Sequence, residues 1–333
     1  MMNKGAFFLS GVLIGIVLLV SVCAVVDKQL PEQQYRNLFF DNTKVMAPAV
    51  PAEAGFAGEP APLDMIYVRE ALDREIMAAT FMHSSTIMMF KRANRYFPVI
   101  EPILKKNGIP DDFKYLAVAE SNLANVTSPA GAEGYWQIMK ATGIKYGLEI
   151  NEFVDERYHI EKATEAACRY LREARQTFKS WTVTAASYNR GMGGMDKALK
   201  NQQQSDFYDL WLNEETARYI YRILALKEVY LNPVRYGFYL LESEFYPPLP
   251  ARTISVDSAI RDLPSFAGKF GISYKVLREL NPWIQDYSLP NKTGKRYQFL
   301  IPEKKELRTE NFMKKIQPGE TFFHDTLTMK SIH

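Results

Sequence analysis

The sequence predicts a mainly α-helical protein, with one large all-α domain followed by a small β-α-α-β unit. Apolar residues recur at three- and four-residue spacings from about residue 64 to 235, and no alternating strand pattern appears before residue 240. After Tyr239 the chain becomes Pro-rich, and then shows a strand, two short helices and the closing strand RYQFLIP. The change in pattern predicts a boundary between two domains near residue 240.

The same periodicity predicts the individual helices. Two helical runs fill residues 64–110, and the Asn-Gly-Ile-Pro run at 107–110 is a helix stop. Asp111 or Asp112 is the expected N-cap of the next helix, DFKYLAVAES. Further helices are predicted at 159–177, 181–188, 192–201 and 214–231.

The two ends of the chain differ from its middle. A short basic start precedes an uncharged run at 6–26, so residues 1–26 are expected to be an export signal or a membrane anchor. Residues 27–63 are rich in Pro, Ala and Gly and are expected to form a flexible linker, and residues 306–333 form a tail without a fold signal. The expected working domains, outside the cytoplasmic membrane, are 64–240 and 241–305.

Charge and composition argue against some classes of function. Lys and Arg number 41 against 38 Asp and Glu, and the net charge of +3 argues against a protein built to bind nucleic acid. The two cysteines and four scattered histidines have no spacing that suits zinc. No metal or other cofactor is therefore expected.

Glu120 is the carboxylate with the most unusual setting. It shares a helix face with Phe113, Leu116 and Ala117, so it is expected to point toward the core or a cleft. It also lies near the helix C-terminus, where the helix dipole disfavours negative charge. Both effects raise the pKa of a carboxyl group, as a general acid near neutral pH requires. The alternative is a solvated glutamate paired with a nearby lysine.

Three further motifs follow in the chain. The loop at 128–134 is built from small residues, which either let the backbone approach a ligand or form a tight turn. Gln137, at the expected start of an apolar helix, needs hydrogen-bond partners from a ligand or from neighbouring backbone. Tyr188 and Asn189 precede a glycine that ends a helix, and Tyr219 is most simply a core residue.

In combination, these motifs resemble the soluble lytic transglycosylase family, whose catalytic domain has a lysozyme-like all-α fold. The motifs are a Glu-Ser pair, Ser-Pro-x-Gly-Ala-x-Gly-x-x-Gln, Tyr-Asn-x-Gly and Glu-Thr-x-x-Tyr, in that order within residues 64–235. The Trp-Gln pair at 136–137 and the helices at 64–110 look most like the membrane-bound lytic transglycosylase D branch. GISYKVLRELNPWI and FLIP are similar to a LysM module, although the usual Ser-Gly-Asp-Thr start is absent.

The resemblance implies a substrate, a location and a set of site residues. The substrate is the glycan strand of peptidoglycan, cut between MurNAc and GlcNAc with formation of a 1,6-anhydro product. Glu120 corresponds to the single catalytic acid. The implied location is the periplasm or cell envelope, and an uncut N-terminal segment would add the envelope membrane as a partner. The implied substrate-binding residues are Ser121, Ser128, Gln137, Tyr188, Asn189 and Tyr219.

Two other functions remain open on the sequence. A hydrolase of the goose-type lysozyme kind would need a second carboxylate, such as Glu133 or Asp155, to position water. A non-catalytic wall-binding protein would keep the same fold as a scaffold. Product mass separates the two enzymes, because an anhydro end lacks one water relative to a hydrolysed end.

Overall fold

The computed structural model describes residues 45–309 of the chain. The predicted signal or anchor at 1–26, much of the predicted linker and nearly all of the predicted tail lie outside these residues. Within them, no helix is both long enough and apolar enough to cross a membrane. The described α-helices and strands are β1 (Gly55–Phe56), β2 (Glu59–Pro60), α1 (Ile66–Phe81), α2 (His83–Lys106), α3 (Phe113–Ser121), α4 (Lys140–Lys145), α5 (Ile160–Phe178), α6 (Trp181–Arg190), α7 (Met192–Gln202), α8 (Glu214–Leu231), β3 (Arg252–Val256), α9 (Leu263–Gly268), α10 (Tyr274–Leu280) and β4 (Tyr297–Ile301).

The mainly α fold is confirmed. Helices α5 to α8 begin and end within one or two residues of their predicted bounds. The long helices α1 and α8 pack against each other. Leu72 and Ile76 on α1 and Ile220 and Leu224 on α8 are all buried, at the three- and four-residue spacing that predicted these helices.

Helix α3 runs through the middle of the helical domain. Its first six residues, 113–118, are all buried. Asp112 occupies the predicted N-cap position, but its side chain makes no capping hydrogen bond. Its Oδ2 instead accepts from the backbone N–H of Ala57 and from Lys227 Nζ, both at 2.7 Å. Asp112 therefore links α3 to α8 and to the N-terminal hairpin.

The hairpin of β1 and β2 corrects the C-terminal end of the predicted linker. These strands pair antiparallel over two residues each. Phe56 is fully buried, and its ring centroid lies 4.8 Å from that of Phe113 at the start of α3. Ala61 and Leu63 are buried as well. The Pro-, Ala- and Gly-rich composition here forms a tight turn that packs on the helices, because Phe56, Ala61 and Leu63 are buried against them.

Glu59 on β2 caps helix α6 from a distant part of the chain. Its carboxylate accepts from the backbone N–H groups of Trp181 at 2.6 Å and Thr182 at 2.8 Å. The hydroxyls of Ser180 and Thr182 donate to it at 2.8 and 2.7 Å. A negative charge at a helix N-terminus is favourable, since the first N–H groups of a helix have no partner within it.

The second unit has the predicted β-α-α-β order. Strand β3 pairs antiparallel with β4, from Arg252 opposite Ile301 to Val256 opposite Tyr297. The two short helices α9 and α10 complete a separate hydrophobic core with these strands. That core also contains Val154, which belongs to the helical domain. The predicted bounds 64–240 and 241–305 stay predictions.

Replacing Glu59 is expected to weaken the helical domain in a pH-dependent way. Burial raises the pKa of Glu59, but the hydrogen bonds from Thr182, Trp181 and Ser180 outweigh it and lower the pKa below 4.5. Glu59→Gln should therefore reduce the free energy of unfolding by about 1–2 kcal/mol at pH 7, through the loss of the charge from these hydrogen bonds. The difference should disappear as the pH falls through the lowered pKa, where the wild-type carboxylate becomes protonated too.

Urea unfolding across this pH range measures the effect, with the exposed Glu53→Gln as the control. A difference between wild type and Glu59→Gln that stays constant at acid pH would contradict the role of the charge.

Candidate active site

A groove of about 450 Å³ opens among helices α1, α2, α3 and α8. It receives side chains from the C-terminal end of α3 and from the loop that follows. Its walls carry two carboxylates and two arginines among mainly apolar side chains. Residues that line it include Glu75, Glu120, Ser121, Val126, Arg218 and Arg222.

Glu120 lies half-buried in this groove, on the helix face predicted from the sequence. Phe113, Leu116 and Ala117, which share that face, are fully buried. The last turn of α3 therefore carries the carboxyl group to the point where the core meets the groove. The alternative of a solvated glutamate paired with a lysine does not match this position.

The protonation of Glu120 is set by burial and three neighbours. Burial raises the pKa of its carboxyl group to about 7. The Tyr219 hydroxyl donates a hydrogen bond to Glu120 Oε1 and lowers the pKa, as does the positive charge of Arg222, whereas the negative charge of Glu215 raises it. Because burial dominates, the carboxyl group exchanges its proton near neutral pH.

The end of α3 is held by hydrogen bonds that keep the neighbouring carboxyl group in place. Asn122 ends the helix in the left-handed conformation, with φ of +51°. Arg92 donates to the Asn122 carbonyl at 3.0 Å, and the Asn122 side-chain amide donates to the Ser85 carbonyl at 2.9 Å. Ser121 donates its hydroxyl to the carbonyl of Tyr135 at 2.7 Å. Ser121 thus joins α3 to the following loop.

That following loop, residues 126–138, is called the active-site loop below. Ser128 Oγ accepts a backbone N–H from within the loop at 2.9 Å. Gln137 does not begin a helix, which corrects the sequence prediction: it lies in a turn with φ of +47°. Its Nε2 donates to the carbonyls of Val126 and Gly134 at 2.9 and 2.8 Å. Gln137 therefore stabilises the loop from inside. The sequence left open whether its partner is a ligand or neighbouring backbone, and the structure shows backbone.

Tyr188 and Tyr219 lie close enough to Glu120 to be affected by its charge. Tyr219 is 2% exposed, and its hydroxyl donates to Glu120. Tyr188 donates to the carbonyl of Trp136 in the active-site loop at 2.9 Å. Burial, and then the negative charge of Glu120, raise the pKa of both tyrosines well above the ordinary value. Both hydroxyls therefore stay protonated and act as hydrogen-bond donors.

Asn189 connects the end of α6 to the start of α8. Its Nδ2 donates to Glu215 Oε1 at 2.9 Å, and its Oδ1 accepts from the Thr216 hydroxyl at 2.8 Å. The neighbouring Arg190 donates to Asn213. The Tyr-Asn and Glu-Thr motifs are thus in direct contact.

A charged cluster in the groove wall was not predicted from the sequence. Glu75 is 3% exposed, with Arg218 Nε at 2.7 Å and Arg222 Nε at 3.9 Å from its carboxylate oxygens. A signal existed, because Glu75 interrupts the apolar face of α1 between Leu72 and Ile76. A charge at such a position needs a partner in the folded state.

The two other carboxylates considered from the sequence are engaged elsewhere. Glu133 accepts from the Thr127 hydroxyl at 2.6 Å and from the Tyr158 hydroxyl. Asp155 forms a buried ion pair with Arg157, with Oδ2 2.6 Å from Nη2. Neither carboxylate lines the groove. Among residues 45–309, no group of three or more His, Cys, Asp or Glu is placed to hold a metal ion.

Tyr219→Phe is expected to raise the pKa of Glu120 above its value of about 7. The substitution removes a donor to the ionised carboxylate and leaves the burial unchanged, which corresponds to an upward change of about one pKa unit or more. A ¹³C NMR titration of the Glu120 carboxyl carbon measures it, assigned by loss of the signal in Glu120→Gln. Tyr221→Phe on the same helix is the control. A midpoint that stays in place in Tyr219→Phe would contradict the hydrogen-bond assignment.

A mainly α domain that presents one half-buried, readily protonated carboxyl group in a groove between helices has the architecture of the lysozyme-like class. Residues 97–210 match the family model of the transglycosylase SLT domain. Residues 252–305 match the model of the soluble lytic transglycosylase C-terminal LysM-like domain. The chain therefore carries an SLT transglycosylase domain followed by a LysM-like domain, and the resemblance stated from its motifs is confirmed.

Two curated relatives support this assignment. Both are described as membrane-bound lytic murein transglycosylase D, one from Escherichia coli (strain K12) and one from Escherichia coli O6:H1. Each is 30% identical to this chain over 243 residues, which is 71% of this chain and 52% of the relative. The chain thus spans about half the length of the curated relatives that it matches.

Proposed function

We propose that this chain is a peptidoglycan lytic transglycosylase that cleaves the β-1,4 bond between MurNAc and GlcNAc and forms a 1,6-anhydro-MurNAc end. The observation that carries the proposal is the Glu120 carboxyl group, half-buried in an open groove with a pKa of about 7. A group with this pKa serves both as an acid and as a base at neutral pH. The SLT domain match and the similarity to the murein transglycosylases support the same activity.

In the proposed first step, protonated Glu120 donates its proton to the glycosidic oxygen as the bond from that oxygen to C1 of MurNAc breaks. Burial favours the protonated form of the carboxyl group, so the acid is present when the substrate binds. The hydrogen bond from Tyr219 stabilises the carboxylate that remains. Arg222 adds a positive charge that favours the same ionised form.

In the proposed second step, the 6-hydroxyl oxygen of the same MurNAc attacks C1, and its proton passes to the Glu120 carboxylate. The ring closes to the 1,6-anhydro sugar, and the acid is regenerated. The nucleophile belongs to the substrate, so no protein carboxylate has to hold a water molecule. Intramolecular attack gains its rate from proximity within the bound sugar.

The neighbouring residues have supporting roles in this proposal. Tyr219 orients the acid through its hydrogen bond, and Tyr188 and Asn189 contact the bound sugars. Ser121 holds the active-site loop against α3 through the Tyr135 carbonyl, and Ser128 accepts a backbone N–H within the loop itself. Gln137 keeps that loop in shape from within, because its amide protons are bonded to loop carbonyls.

The hydrolase alternative is less well supported. Of the described residues that line the groove, the second carboxylate is Glu75, which is neutralised by Arg218. Glu133 and Asp155 are both engaged in hydrogen bonds outside the groove. A retaining or inverting hydrolase needs a second carboxylate that faces the substrate. The non-catalytic alternative leaves unexplained why a carboxyl group with a raised pKa lies open to the groove.

The proposal extends to the place where the enzyme works. Peptidoglycan glycan strands are the proposed partner, and the proposed location is the periplasm or cell envelope. The name of the relatives as membrane-bound murein enzymes supports this location. The proposed membrane contact through residues 6–26 lies outside the described residues.

Glu120→Gln is expected to abolish strand cleavage while leaving strand binding in place. The amide keeps the shape of the side chain but has no acidic proton to give, so digestion of purified sacculi should fall by at least about 100-fold. Mass analysis of the products from wild type should show anhydro ends. Wild-type activity should decline as the pH rises through about 7, because the acid form is lost.

The exposed Glu70→Gln on α1 is the matched control and should digest sacculi like wild type. Wild-type products that carry only reducing ends would instead indicate a hydrolase. Unchanged digestion by Glu120→Gln would rule out Glu120 as the acid in either enzyme.

A further inference from the structure

The LysM-like unit pairs its backbone with one segment of the helical domain, residues 149–158, called the docking strip here, and His159 beside this strip stacks on Trp283 with ring centroids 6.2 Å apart. The backbone N–H of Asp155 donates to the carbonyl of Trp283 at 2.8 Å. The N–H of Gln285 donates to the carbonyl of Phe153, also at 2.8 Å. The docking strip thus pairs with the LysM-like unit as a short piece of antiparallel backbone.

Side chains reinforce this pairing from both sides. Val154 is 1% exposed and belongs to the core of the LysM-like unit. Lys295 donates to Glu149 and, at 2.8 Å, to Glu156. The Tyr297 hydroxyl donates to the Glu149 carboxylate at 3.0 Å. The core of the second unit is therefore complete only when the docking strip is in place.

The same strip also holds the active-site loop. Arg157 donates from Nη1 to the carbonyls of Gly131 and Ile138, at 3.2 and 3.3 Å. Tyr158 donates its hydroxyl to the carboxylate of Glu133. All three acceptors belong to the active-site loop, so the docking strip contacts the LysM-like unit on one side and this loop on the other.

One residue connects the two sides directly. Asp155 uses its backbone N–H for Trp283 and its carboxylate for the guanidinium of Arg157, with Nη2 and Oδ2 2.6 Å apart. The backbone of the docking strip also lies in close contact with the backbone of the loop. A Cβ atom added to Gly134 would lie only 2.1 Å from the Arg157 carbonyl oxygen. A displacement of the docking strip would therefore displace the loop.

The active-site loop in turn contacts the groove. Val126 lines it beside Glu120. The loop carbonyls of Tyr135 and Trp136 accept from Ser121 and Tyr188, the residues that hold the end of α3 and one side of the acid. Continuous hydrogen-bonded contacts thus run from the LysM-like unit to the wall of the groove.

We propose that the LysM-like unit has a second function in this chain, separate from any binding of glycan: docked on residues 149–158, it holds the active-site loop in the conformation that shapes the catalytic groove. It is a positioning element, since none of the described residues of the unit lines the groove that contains Glu120. The catalytic part of this inference rests on the proposed transglycosylase function, whereas the mechanical part rests on the contacts alone.

The test compares two full-length double variants. Lys295→Met with Tyr297→Phe removes the side-chain bonds to Glu149, and Glu156 keeps Lys162 as a partner. The phenylalanine retains the ring that stacks on Trp283, 5.5 Å between centroids. The matched control is Lys292→Met with Tyr287→Phe, the same substitutions at exposed positions of the same unit.

Amide hydrogen exchange measures the loop without reference to activity. In the docking variant, the N–H groups of Ser128, Gly134 and Ile138, which are bonded within the loop, should exchange about 5-fold faster. The N–H groups of Asp155 and Gln285 should exchange faster as well, which reports loosened docking. The control variant should match wild type at all five positions.

Kinetics on a short soluble glycan, which engages the groove alone, gives the catalytic readout. The docking variant should lose about 5-fold in kcat with KM little changed, because the groove spends less time in the competent shape. Absence of activity in wild type, with the exchange result as expected, would overturn the proposed transglycosylase and leave the positioning function standing.

Loosened docking with unchanged loop exchange and unchanged kcat would overturn the positioning function. If the docking amides stay protected in the double variant, Val154→Asp decides the question, because it places an unpaired carboxylate in the core of the LysM-like unit and forces release. The same loop amides are then measured. Unchanged loop protection in that variant overturns the proposal, and faster exchange supports it.

Discussion

Desolvation of one carboxyl group, that of Glu120, is the constraint on which the proposed catalytic groove depends. An isolated carboxylate in an apolar setting is unfavourable, so burial moves its pKa to about 7. The helix that carries this group, α3, is held at both ends, by Asp112 at its start and by Asn122 and Ser121 at its finish. Tyr219 then provides the ionised form with a hydrogen bond, so neither protonation state is strongly disfavoured.

The same requirement accounts for the polar groups around the groove. Glu75 is buried, and its charge is matched by Arg218 and Arg222 on the neighbouring helix. Arg222 also favours the ionised Glu120, whereas Glu215 opposes it. The pKa of the acid is therefore a balance of burial and fixed charges from α8, and α8 is held against α1 by apolar packing. The packing of α8 against α1 therefore affects the pKa of Glu120.

The core of the LysM-like unit includes a residue from the helical domain. Val154 lies in the helical domain by sequence but in the core of the LysM-like unit by packing. Lys295 stands between Glu149 and Glu156, and Glu156 is itself buried. Burial raises the pKa of Glu156, but the hydrogen bonds from Glu149, Lys162 and Lys295 outweigh it, so the pKa is lowered. An ionised buried glutamate with partners from both domains favours one relative position of the two.

The sequence by itself determined most of the helices and the unusual setting of Glu120, the proposed acid. Apolar periodicity and stop signals are local, so the bounds of α5 to α8 and the setting of Glu120 could be derived from residues a few positions apart. The tertiary structure decided which side chains meet. Three contacts join residues whose partners no local pattern specifies. Glu59 caps α6, Glu75 pairs with Arg218, and Gln137 bonds to the Val126 carbonyl of its own loop. The docking of residues 149–158 on the second unit is also a contact that the sequence does not specify. A buried charge or an open strand edge requires a partner, but the residue pattern does not say where in the chain that partner lies.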